Sequence, residues 1–367
     1  MVPSQATQAA VPAGPFDDPG GEGRGPSAHR FAARAVDAVL EASVVGSFSR
    51  IGYLVRRPLE CWGDPPSAHG KVALVTGASS GIGRCVALSL GALGAQVWAV
   101  GRDEDRTKEV ATAICSRGGT ARAVLANMSD GESVSVLADR VGAATDRLDV
   151  LVHCAGSLLR TYQQSADGVE MTVATHVLGP YRLTWCLASL LHRARAATIV
   201  TVSSGGMYAE RFDLARLEVG PHGYDGVRAY ARAKRAQVVL AHEWARRWGD
   251  AGIASHAMHP GWVDTPGLAK GLPSFRLGPL LRRPHEGADT AVWLAAGGAR
   301  DAWGGRSPRS ALEGFWHDRR SRSEHRLFWT RAPLAPEAQG RALWDWCARR
   351  TGVGGDLEEV GGPRAGR

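Results

Sequence analysis

The chain lacks the features that would assign it to a disulfide-rich, metal-binding or membrane-spanning class. Its six cysteines are dispersed, with no Cys-x-x-Cys pair and no histidine or cysteine neighbour at metal-ligand spacing. We therefore predict no metal site and a reduced, cytoplasmic location. No run approaches the roughly 20 consecutive apolar residues that a membrane helix needs. The N-terminus has neither the basic start nor the apolar stretch of a secretory signal.

A cluster of positive charge is also missing. The 367 residues carry a formal net charge of +8, but the basic residues, mostly arginine, are spread along the chain. This distribution favours a compositional bias over a polyanion site, so we predict no nucleic-acid partner. Hydrophobic residues make up 44% of the chain, which is sufficient for a large packed core.

Both ends of the chain differ from its centre in composition. Residues 1–27 and 352–367 are rich in glycine, proline or small polar residues, and we predict that they are disordered tails. Residues 28–70 are predicted to form a helical arm, because their apolar residues recur at steps of three or four. We expect Gly46 and Gly52 to divide the arm into two helices that share one apolar face. The residues of this face are Val36, Leu40, Val44, Phe48, Ile51 and Val55.

Arginines flank the predicted apolar face of the arm. An apolar helix face beside positive charge can enter a lipid headgroup layer, so residues 29–57 indicate a peripheral membrane contact. The favoured alternative is an arm that packs on its own domain or against a second subunit. The arginines in question are Arg30, Arg34, Arg50, Arg56 and Arg57.

From Lys71 onward, apolar runs alternate with stretches long enough to form helices. The runs are nearly continuous, as expected for strands that are covered by helices on both faces. This alternation predicts an α/β fold with a doubly wound, Rossmann-type parallel sheet and a ligand crevice at the carboxyl ends of the strands. We assign residues 71–295 to this domain and residues 296–351 to a C-terminal extension of it. The predicted strands are KVALVTG, QVWAV, ARAVLA, LDVLVHCAG, ATIVTVSS and IASHAMHP.

The first strand leads into a glycine-rich turn, TGASSGIG at residues 76–83, which an amphipathic helix follows. Gly77 permits the tight turn, Gly81 allows the backbone to approach a ligand, and Gly83 allows the helix to pack closely. The free N–H groups and the helix dipole then point at a pyrophosphate. We predict a dinucleotide site here, with an ordinary strand-to-helix turn as the alternative.

The end of the second strand bears on the choice of dinucleotide. An NAD site usually places a carboxylate there, on the ribose hydroxyls, but this chain has Gly101 and Arg102. A guanidinium pairs with the 2′-phosphate of NADP, so we predict NADP(H), with NAD(H) as a second cofactor. Asp103 and the acidic residues after it leave open that Arg102 is only a solvated surface residue.

Tyr230 and Lys234 lie one helical turn apart in AYARAKRAQVVLAHEWARRW. We expect the lysine ammonium to lower the pKa of the tyrosine from its usual value of about 10 and so to make a proton-handling pair. By itself this spacing is a common chance pattern. Upstream, however, the strand ATIVTVSS ends in Ser203 and Ser204 at the crevice edge, where a serine can polarise a carbonyl.

The order of glycine turn, strand-end serine and Tyr-x-x-x-Lys resembles the short-chain dehydrogenase/reductase superfamily over roughly residues 71–295. The resemblance implies that Ser204 orients a carbonyl, Tyr230 is the general acid or base, and Lys234 holds the nicotinamide ribose. The segments SSGGM, KRAQVVL, HPGWVDTPG, GADT and GFWHDRR are similar to a subgroup, the oxidoreductases like dehydrogenase/reductase family member twelve. Further cofactor contacts implied by the resemblance are Ser79, Ser80, Ile82, Asn127, Met128, Ala155, Gly156, Pro260, Gly261, Val263 and Thr265.

Three positions depart from the pattern of this superfamily. His153 and Cys154 replace an Asn pair, so the hydrogen bonds that brace the sheet must differ, and we interpret Cys154 as a packing residue. Asn127 replaces an adenine-binding Asp. His176 replaces the fourth catalytic residue, an Asn; its backbone carbonyl can hold a relay water, or its imidazole can join the proton relay.

These features predict an NADP(H)-dependent oxidoreductase that moves a hydride between nicotinamide and a carbonyl or alcohol carbon of a small apolar substrate. The alternative is a cofactor-binding regulatory or scaffold protein with lost or weak turnover. The resemblance also implies a homodimer or homotetramer. Trp262 and Trp316 are candidate walls of the substrate pocket. An extra loop between Ser204 and Tyr230 is expected at the substrate entrance. The segments GFWHDRR and ALWDWCARR are expected to cap the pocket or to mediate assembly.

Overall fold

The computed structural model describes residues 27–275, 277–302, 313–327, 330 and 336–354. The tails predicted at residues 1–27 and 352–367 therefore lie almost wholly outside the described residues. Among the described residues, no helix has both the length and the apolar character needed to cross a bilayer. In the same part of the chain, no group of three or more His, Cys, Asp or Glu side chains is arranged to hold a metal ion.

An eight-stranded sheet forms the centre of the molecule, in the order β3-β2-β1-β4-β5-β6-β7-β8. Neighbouring strands are parallel except for β7 and β8, which are antiparallel. The strand order reverses between β1 and β4, which creates the crevice where doubly wound sheets bind ligands. The strands are β1 (Val72–Thr76), β2 (Gln96–Gly101), β3 (Thr120–Leu125), β4 (Val150–His153), β5 (Thr198–Val202), β6 (Ala254–Met258), β7 (Glu313–His317) and β8 (Arg320–Ser321).

Helices cover both faces of this sheet, which confirms the predicted fold class. Alternate residues of a strand point to opposite faces: Leu74 packs in one apolar cluster, and Val75 packs in another. A π-helical turn, Ala174–Leu178, lies between α7 and α8. The helices are α1 (Ser27–Ala42), α2 (Val44–Phe48), α3 (Arg50–Leu59), α4 (Gly81–Ala92), α5 (Glu104–Cys115), α6 (Gly131–Gly142), α7 (Met171–Val173), α8 (Gly179–Cys186), α9 (Ala188–Arg193), α10 (Gly226–Trp248), α11 (Pro266–Gly271), α12 (Pro284–Ala296), α13 (Gly298–Ala302) and α14 (Pro336–Thr351).

The helical arm has three helices where the sequence predicted two. The breaks fall at Ser43 and Ser49, whose hydroxyls accept hydrogen bonds from the first turns of α2 and α3. Serine is favoured at such caps, and this preference outweighs the helix-breaking tendency of Gly46 and Gly52, which lie inside the helices. The single apolar face predicted for the arm is also wrong. Phe48 is buried, and Leu40 and Val55 are half-buried, but the remaining three, Val36, Val44 and Ile51, are exposed.

The segment GFWHDRR forms β7 and its turn, so it does not cap the crevice. Trp316 is buried in the sheet core, where its indole N–H donates to His256 at 3.2 Å, and the prediction that it forms a pocket wall is therefore wrong. The segment ALWDWCARR lies in α14. Trp344 of this helix packs against Tyr181 and Trp244, on the outside of α8 and α10 and away from the crevice.

Candidate active site

One cleft at the carboxyl ends of the strands, about 440 Å³ in volume, brings together every catalytic and cofactor-binding residue that the sequence predicted. Parallel strands end at the same edge of a sheet, so motifs far apart in the chain meet there. The predicted site residues that line the cleft are Gly77, Ser79, Ser80, Gly81, Ile82, Gly83, Arg102, Asn127, Met128, Ala155, Gly156, His176, Ser204, Tyr230, Lys234, Pro260, Gly261, Val263 and Thr265.

The glycine turn between β1 and α4 has the geometry of an anion site. Gly77 has a φ of +69°, and a Cβ there would lie 2.8 Å from Cα of Ala155. A Cβ on Gly83 would lie 2.3 Å from the carbonyl oxygen of Gly77, so the helix packs directly on the turn. The Ser80 side chain does not cap α4. The first N–H groups of this helix therefore face the cleft, which fits a pyrophosphate.

Arg102 is exposed at the end of β2, and the acidic residue after it is engaged elsewhere. Oδ1 of Asp103 accepts a hydrogen bond from the backbone N–H of Arg106 at 3.0 Å, and Oδ2 pairs with the Arg106 side chain at 2.8 Å. Asp103 thus caps α5 rather than pairing with Arg102. This geometry fits a phosphate at the guanidinium of Arg102.

Thr76 braces β1 against β4 where His153 and Cys154 replace the expected asparagines. Its hydroxyl donates to a backbone carbonyl of β4 and accepts from the backbone N–H groups of Cys154 and Ala155 at 3.1 and 3.2 Å. His153 turns away and forms a 2.7 Å hydrogen bond with Thr184 of α8. Burial raises the pKa of the Cys154 thiol to about 12, which favours the packing interpretation over a nucleophilic one.

Tyr230 and Lys234 stand on one face of α10 beneath the cleft. The Lys234 ammonium donates to Val202 O at 2.9 Å and to Gln237 Oε1 at 3.0 Å, and it lies 5.5 Å from the centre of the Tyr230 ring. The hydroxyl of Ser204 accepts a hydrogen bond from the backbone N–H of Gly206, in the 3₁₀ turn that follows β5. Both the lysine and the serine are thereby held in place by short local contacts.

The protonation of Tyr230 differs from the expectation drawn from its spacing to Lys234. Burial raises the pKa of Tyr230 above its usual value and outweighs the hydrogen bond with Ser204, which lowers this pKa. Burial also lowers the pKa of Lys234 to about 8. The predicted lowering of the tyrosine pKa is therefore wrong for the protein alone, and Tyr230 carries its proton at neutral pH.

His176 lies in the π-helical turn, and its ring meets the Tyr230 ring edge to face at 5.5 Å. Its Nε2 is 2.9 Å from the carbonyl oxygen of Ser157, and its Nδ1 has no hydrogen-bond partner among the described residues. Burial, together with the charge of Lys234, lowers the pKa of His176 to about 3. The imidazole is therefore neutral at physiological pH.

Apolar side chains that the sequence analysis missed form the outer wall of the cleft. Trp262, which was predicted, meets Phe275 edge to face at 5.2 Å. The segment after α11 carries no periodic signal that would have identified Phe275 from the sequence. The extra loop before Tyr230 reaches the cleft at Ala209. The apolar wall residues missed are Leu158, Val227, Leu268, Leu272 and Phe275.

Asn127 lines the cleft just after the end of β3. Its Oδ1 accepts hydrogen bonds from the backbone N–H and the hydroxyl of Ser129 at 3.3 and 2.9 Å. These bonds fix the amide plane at the cleft edge. An amide in this position has both donor and acceptor atoms, so it can replace a carboxylate as a partner for a base.

In comparisons with known proteins, the chain matches dehydrogenases and reductases. Residues 71–273 match the family model described as short chain dehydrogenase. The chain is 35% identical to human dehydrogenase/reductase SDR family member 12 over 260 residues, covering 70% of this chain and 79% of that protein. It is 34% identical to mouse polyprenol dehydrogenase over 296 residues, covering 76% and 88% of the two chains. One similar solved structure is a Beutenbergia cavernae protein, provisionally assigned as an NAD(P)-dependent gluconate 5-dehydrogenase and solved with NADP at low occupancy. It is 30% identical to this chain, with a TM-score of 0.52, and the match covers 63% of this chain and 91% of that one.

Proposed function

The chain belongs to the short-chain dehydrogenase family, near family member 12, and on that premise we propose that it is an NADP(H)-dependent reductase of apolar ketones or aldehydes. Its membership confirms the predicted resemblance and makes it an oxidoreductase that acts on alcohol or carbonyl groups. The observation that carries the finer proposal is the protonated Tyr230 in a cleft with an apolar wall.

The proposed cofactor is NADP(H), which supplies the hydride when bound. The turn at residues 77–83 would hold the pyrophosphate, Arg102 the 2′-phosphate, and Lys234 the nicotinamide ribose. The engagement of Asp103 with Arg106 supports this choice, because the Asp103 carboxylate then does not compete for Arg102. The NADP bound by the Beutenbergia cavernae relative supports it as well.

The proposed chemistry of the chain's own residues is general acid catalysis. Ser204 orients the carbonyl oxygen by hydrogen bonding, and Tyr230 donates the proton that this oxygen acquires. Lys234, at 5.5 Å from the tyrosine ring, stabilises the phenolate that remains. A tyrosine that keeps its proton at neutral pH favours reduction over oxidation.

The proposed substrate is apolar, because Leu158, Val227, Trp262, Leu272 and Phe275 line the outer cleft. The similarity to a polyprenol dehydrogenase supports this substrate class. The peripheral membrane contact predicted for residues 29–57 belongs with this proposal, since a long apolar alcohol or ketone partitions into lipid. We retain the cytoplasmic location as a prediction.

The homodimer or homotetramer also stays a prediction, and α14 restricts how it forms. Trp344 packs on Tyr181 and Trp244 and receives the guanidinium of Arg247 over its ring at 4.0 Å. The chain's own C-terminal helix therefore covers this side of α8 and α10. A subunit contact has to use another surface of these helices or another element.

The test is turnover of NADPH with a panel of hydrophobic ketones and aldehydes by the wild type and by Tyr230→Phe. The variant loses only the transferable proton, so its kcat should fall by about 10² to 10⁴ while NADPH affinity stays within a few fold. Tyr162→Phe, the same change outside the cleft, is the control. Retention of more than about a tenth of kcat in Tyr230→Phe would contradict the role of Tyr230 as general acid.

The second candidate is a cofactor-binding regulatory or scaffold protein. The neutral His176, which bonds to Ser157 in place of the family's asparagine, is the observation that favours it. The same NADPH turnover assay distinguishes the two candidate functions. NADPH binding without hydride transfer to any carbonyl of the panel would favour the scaffold, and turnover would exclude it.

A further inference from the structure

Helices α1 to α3 carry most of the large apolar side chains that the described residues leave in solvent. Of ten such side chains, seven lie between residues 31 and 54. Phe31 and Val39 are 76% and 73% exposed. A concentration of exposed apolar side chains in one part of a protein marks an interaction site. The seven, which we call the arm surface, are Phe31, Val36, Val39, Val44, Val45, Ile51 and Leu54.

The carboxylates of the same helices point inward. Asp37 is buried and pairs with Arg56 and Arg322 at 2.8 and 2.7 Å, and Glu41 pairs with Arg56 at 3.0 Å. A helix on the surface of a soluble protein normally turns its charges to water and its apolar side chains to the core. Helix α1 instead buries Asp37 and exposes Phe31, Val36 and Val39. Its outward face therefore presents large apolar side chains to its surroundings.

The charges that remain on the outside of these helices are positive. Asp37 and Glu41 are the only acidic residues of α1 to α3, and both are held by arginines. Arg34 and Arg57 are exposed. Apolar side chains beside exposed arginines are complementary to a lipid surface that carries negative headgroups.

The arm also lies directly behind the substrate wall. The backbone N–H of Trp262 donates to Phe48 O at 2.8 Å, and the two rings meet edge to face at 6.0 Å. Helix α3 contacts the 3₁₀ turn Gly278–Leu280, which closely follows Phe275 in the chain. A surface on which the arm docks is therefore close to the apolar side of the cleft.

We propose that the arm surface docks on an anionic lipid bilayer and that the apolar substrate enters the cleft from that bilayer. The membrane docking is inferred from the residues of the arm alone, whereas the delivery of substrate rests on the proposed function. A second copy of the chain fits the arm surface less well. In a symmetric dimer the same patches face each other, so Arg34 and Arg57 would meet their own copies with no exposed carboxylate of α1 to α3 to offset them.

The test is co-sedimentation of the full chain with vesicles of phosphatidylcholine alone or of phosphatidylcholine with phosphatidylserine. We expect binding to the anionic vesicles, and about five-fold weaker binding for each of Arg34→Glu and Arg57→Glu. Arg117→Glu, an exposed arginine at the end of α5, is the control for charge. Failure of the wild type to bind anionic vesicles overturns the proposal.

The apolar contribution is tested with the double variant Phe31→Ser, Val39→Ser. Both side chains are mostly exposed, so the change costs little packing, but it should weaken vesicle binding by about ten-fold or more. Val136→Ser, at an exposed apolar position of α6, is the matched control and should bind as the wild type does. If the double variant instead converts a dimer to a monomer in sedimentation velocity without changing vesicle binding, the arm surface is a subunit interface and the proposal is wrong.

Two ketone substrates distinguish a failure of substrate delivery from a failure of the proposed function. The Phe31→Ser, Val39→Ser variant should reduce a water-soluble ketone at the wild-type rate but lose rate with a long-chain ketone dissolved in anionic vesicles. Equal rates on the vesicle substrate overturn the delivery. Absence of all turnover, with vesicle binding intact, instead contradicts the proposed function and leaves the docking supported.

Discussion

Tyr230 is the residue at which burial matters most for the chemistry. Its raised pKa keeps the phenol protonated below that value, so a reduction that needs this proton proceeds through the neutral range. Lys234, with a pKa lowered to about 8, loses its charge as the pH rises through that value. We therefore expect kcat/KM for reduction to fall above a pH of about 8, because an uncharged Lys234 no longer stabilises the phenolate that proton donation leaves. A pH profile of the reduction of one ketone checks this. A reduction rate that falls as the pH drops from 8 to about 6 would contradict it.

Arg102 is the residue that we propose to set the cofactor preference. Arg102→Glu replaces a phosphate partner with a repelling carboxylate, and a charge-assisted hydrogen bond alone is worth about 1.5 to 3 kcal/mol, or roughly 10 to 150-fold. We expect the KM for NADPH to rise by that factor and the KM for NADH to change little. Steady-state KM values for both cofactors, with Arg117→Glu as the charge control, measure the ratio. An unchanged ratio shows that Arg102 is only a solvated side chain.

His176 is the position that departs most from the family pattern. Its pKa of about 3 keeps the imidazole neutral, so it cannot act as a group that titrates near the usual histidine value of about 6.5. We expect His176→Asn to keep or modestly raise kcat and to leave the acid limb of the pH profile in place. A loss of about ten-fold in kcat at unchanged NADPH affinity and melting temperature would make the imidazole a relay group.

Residue positions in the cleft were predictable, whereas residue protonation was not. Parallel strands end together, so a strand-end serine, Arg102 and the glycine turn had to meet. The pKa of Tyr230, however, depends on how deeply the ring is buried, and the spacing to Lys234 carries no information about burial. Phe275 was missed for a related reason, because its place in the wall depends on the path of the chain after α11.

At the scale of elements, an ion-pair cluster ties the arm to the end of β7. Asp318 pairs with Arg56 at 2.7 Å and with Arg282 at 2.5 Å, and all three side chains are nearly or fully buried. Arg282 also donates to the backbone carbonyls of Ser47 and Ser49 in the arm. The arm is therefore held to the sheet by charged contacts together with the buried ring of Phe48, and not by the whole apolar face that the sequence predicted.

Removal of the carboxylate from this cluster should be costly. Asp318 has a φ of 53°, which asparagine also tolerates, so Asp318→Asn changes the charge without straining the backbone. Breaking a buried ion pair costs about 3 to 5 kcal/mol, and we expect a loss of that size in the free energy of unfolding in urea. Glu218→Gln, which breaks the more exposed pair with Arg350, should cost at most about 1 kcal/mol. Equal losses in the two variants would contradict the assigned role of the cluster.

The strands of the sheet could be predicted from the sequence up to β6. Six apolar runs became β1 to β6, because burial on both faces gives near-continuous apolar strands. Strand β7 was not recognised, since EGFWH mixes a glutamate, a glycine and a histidine with two aromatic residues. The apolar residues of the arm had the period of a helix, but periodicity alone does not tell which face meets the protein and which meets solvent.

At the scale of the whole molecule, the sheet gathers a proton donor, an anion-binding turn and an apolar wall into one cleft, and the account requires that hydride cross this cleft. The direct measurement is reduction of a hydrophobic ketone with NADPH that carries deuterium at C4 of the nicotinamide, followed by mass spectrometry of the product. We expect an alcohol with one deuterium, on the former carbonyl carbon, transferred from one of the two C4 positions. NADPH that binds in the cleft while every ketone is recovered unreduced and unlabelled would show that no hydride is transferred there and that the proposed reductase function is wrong.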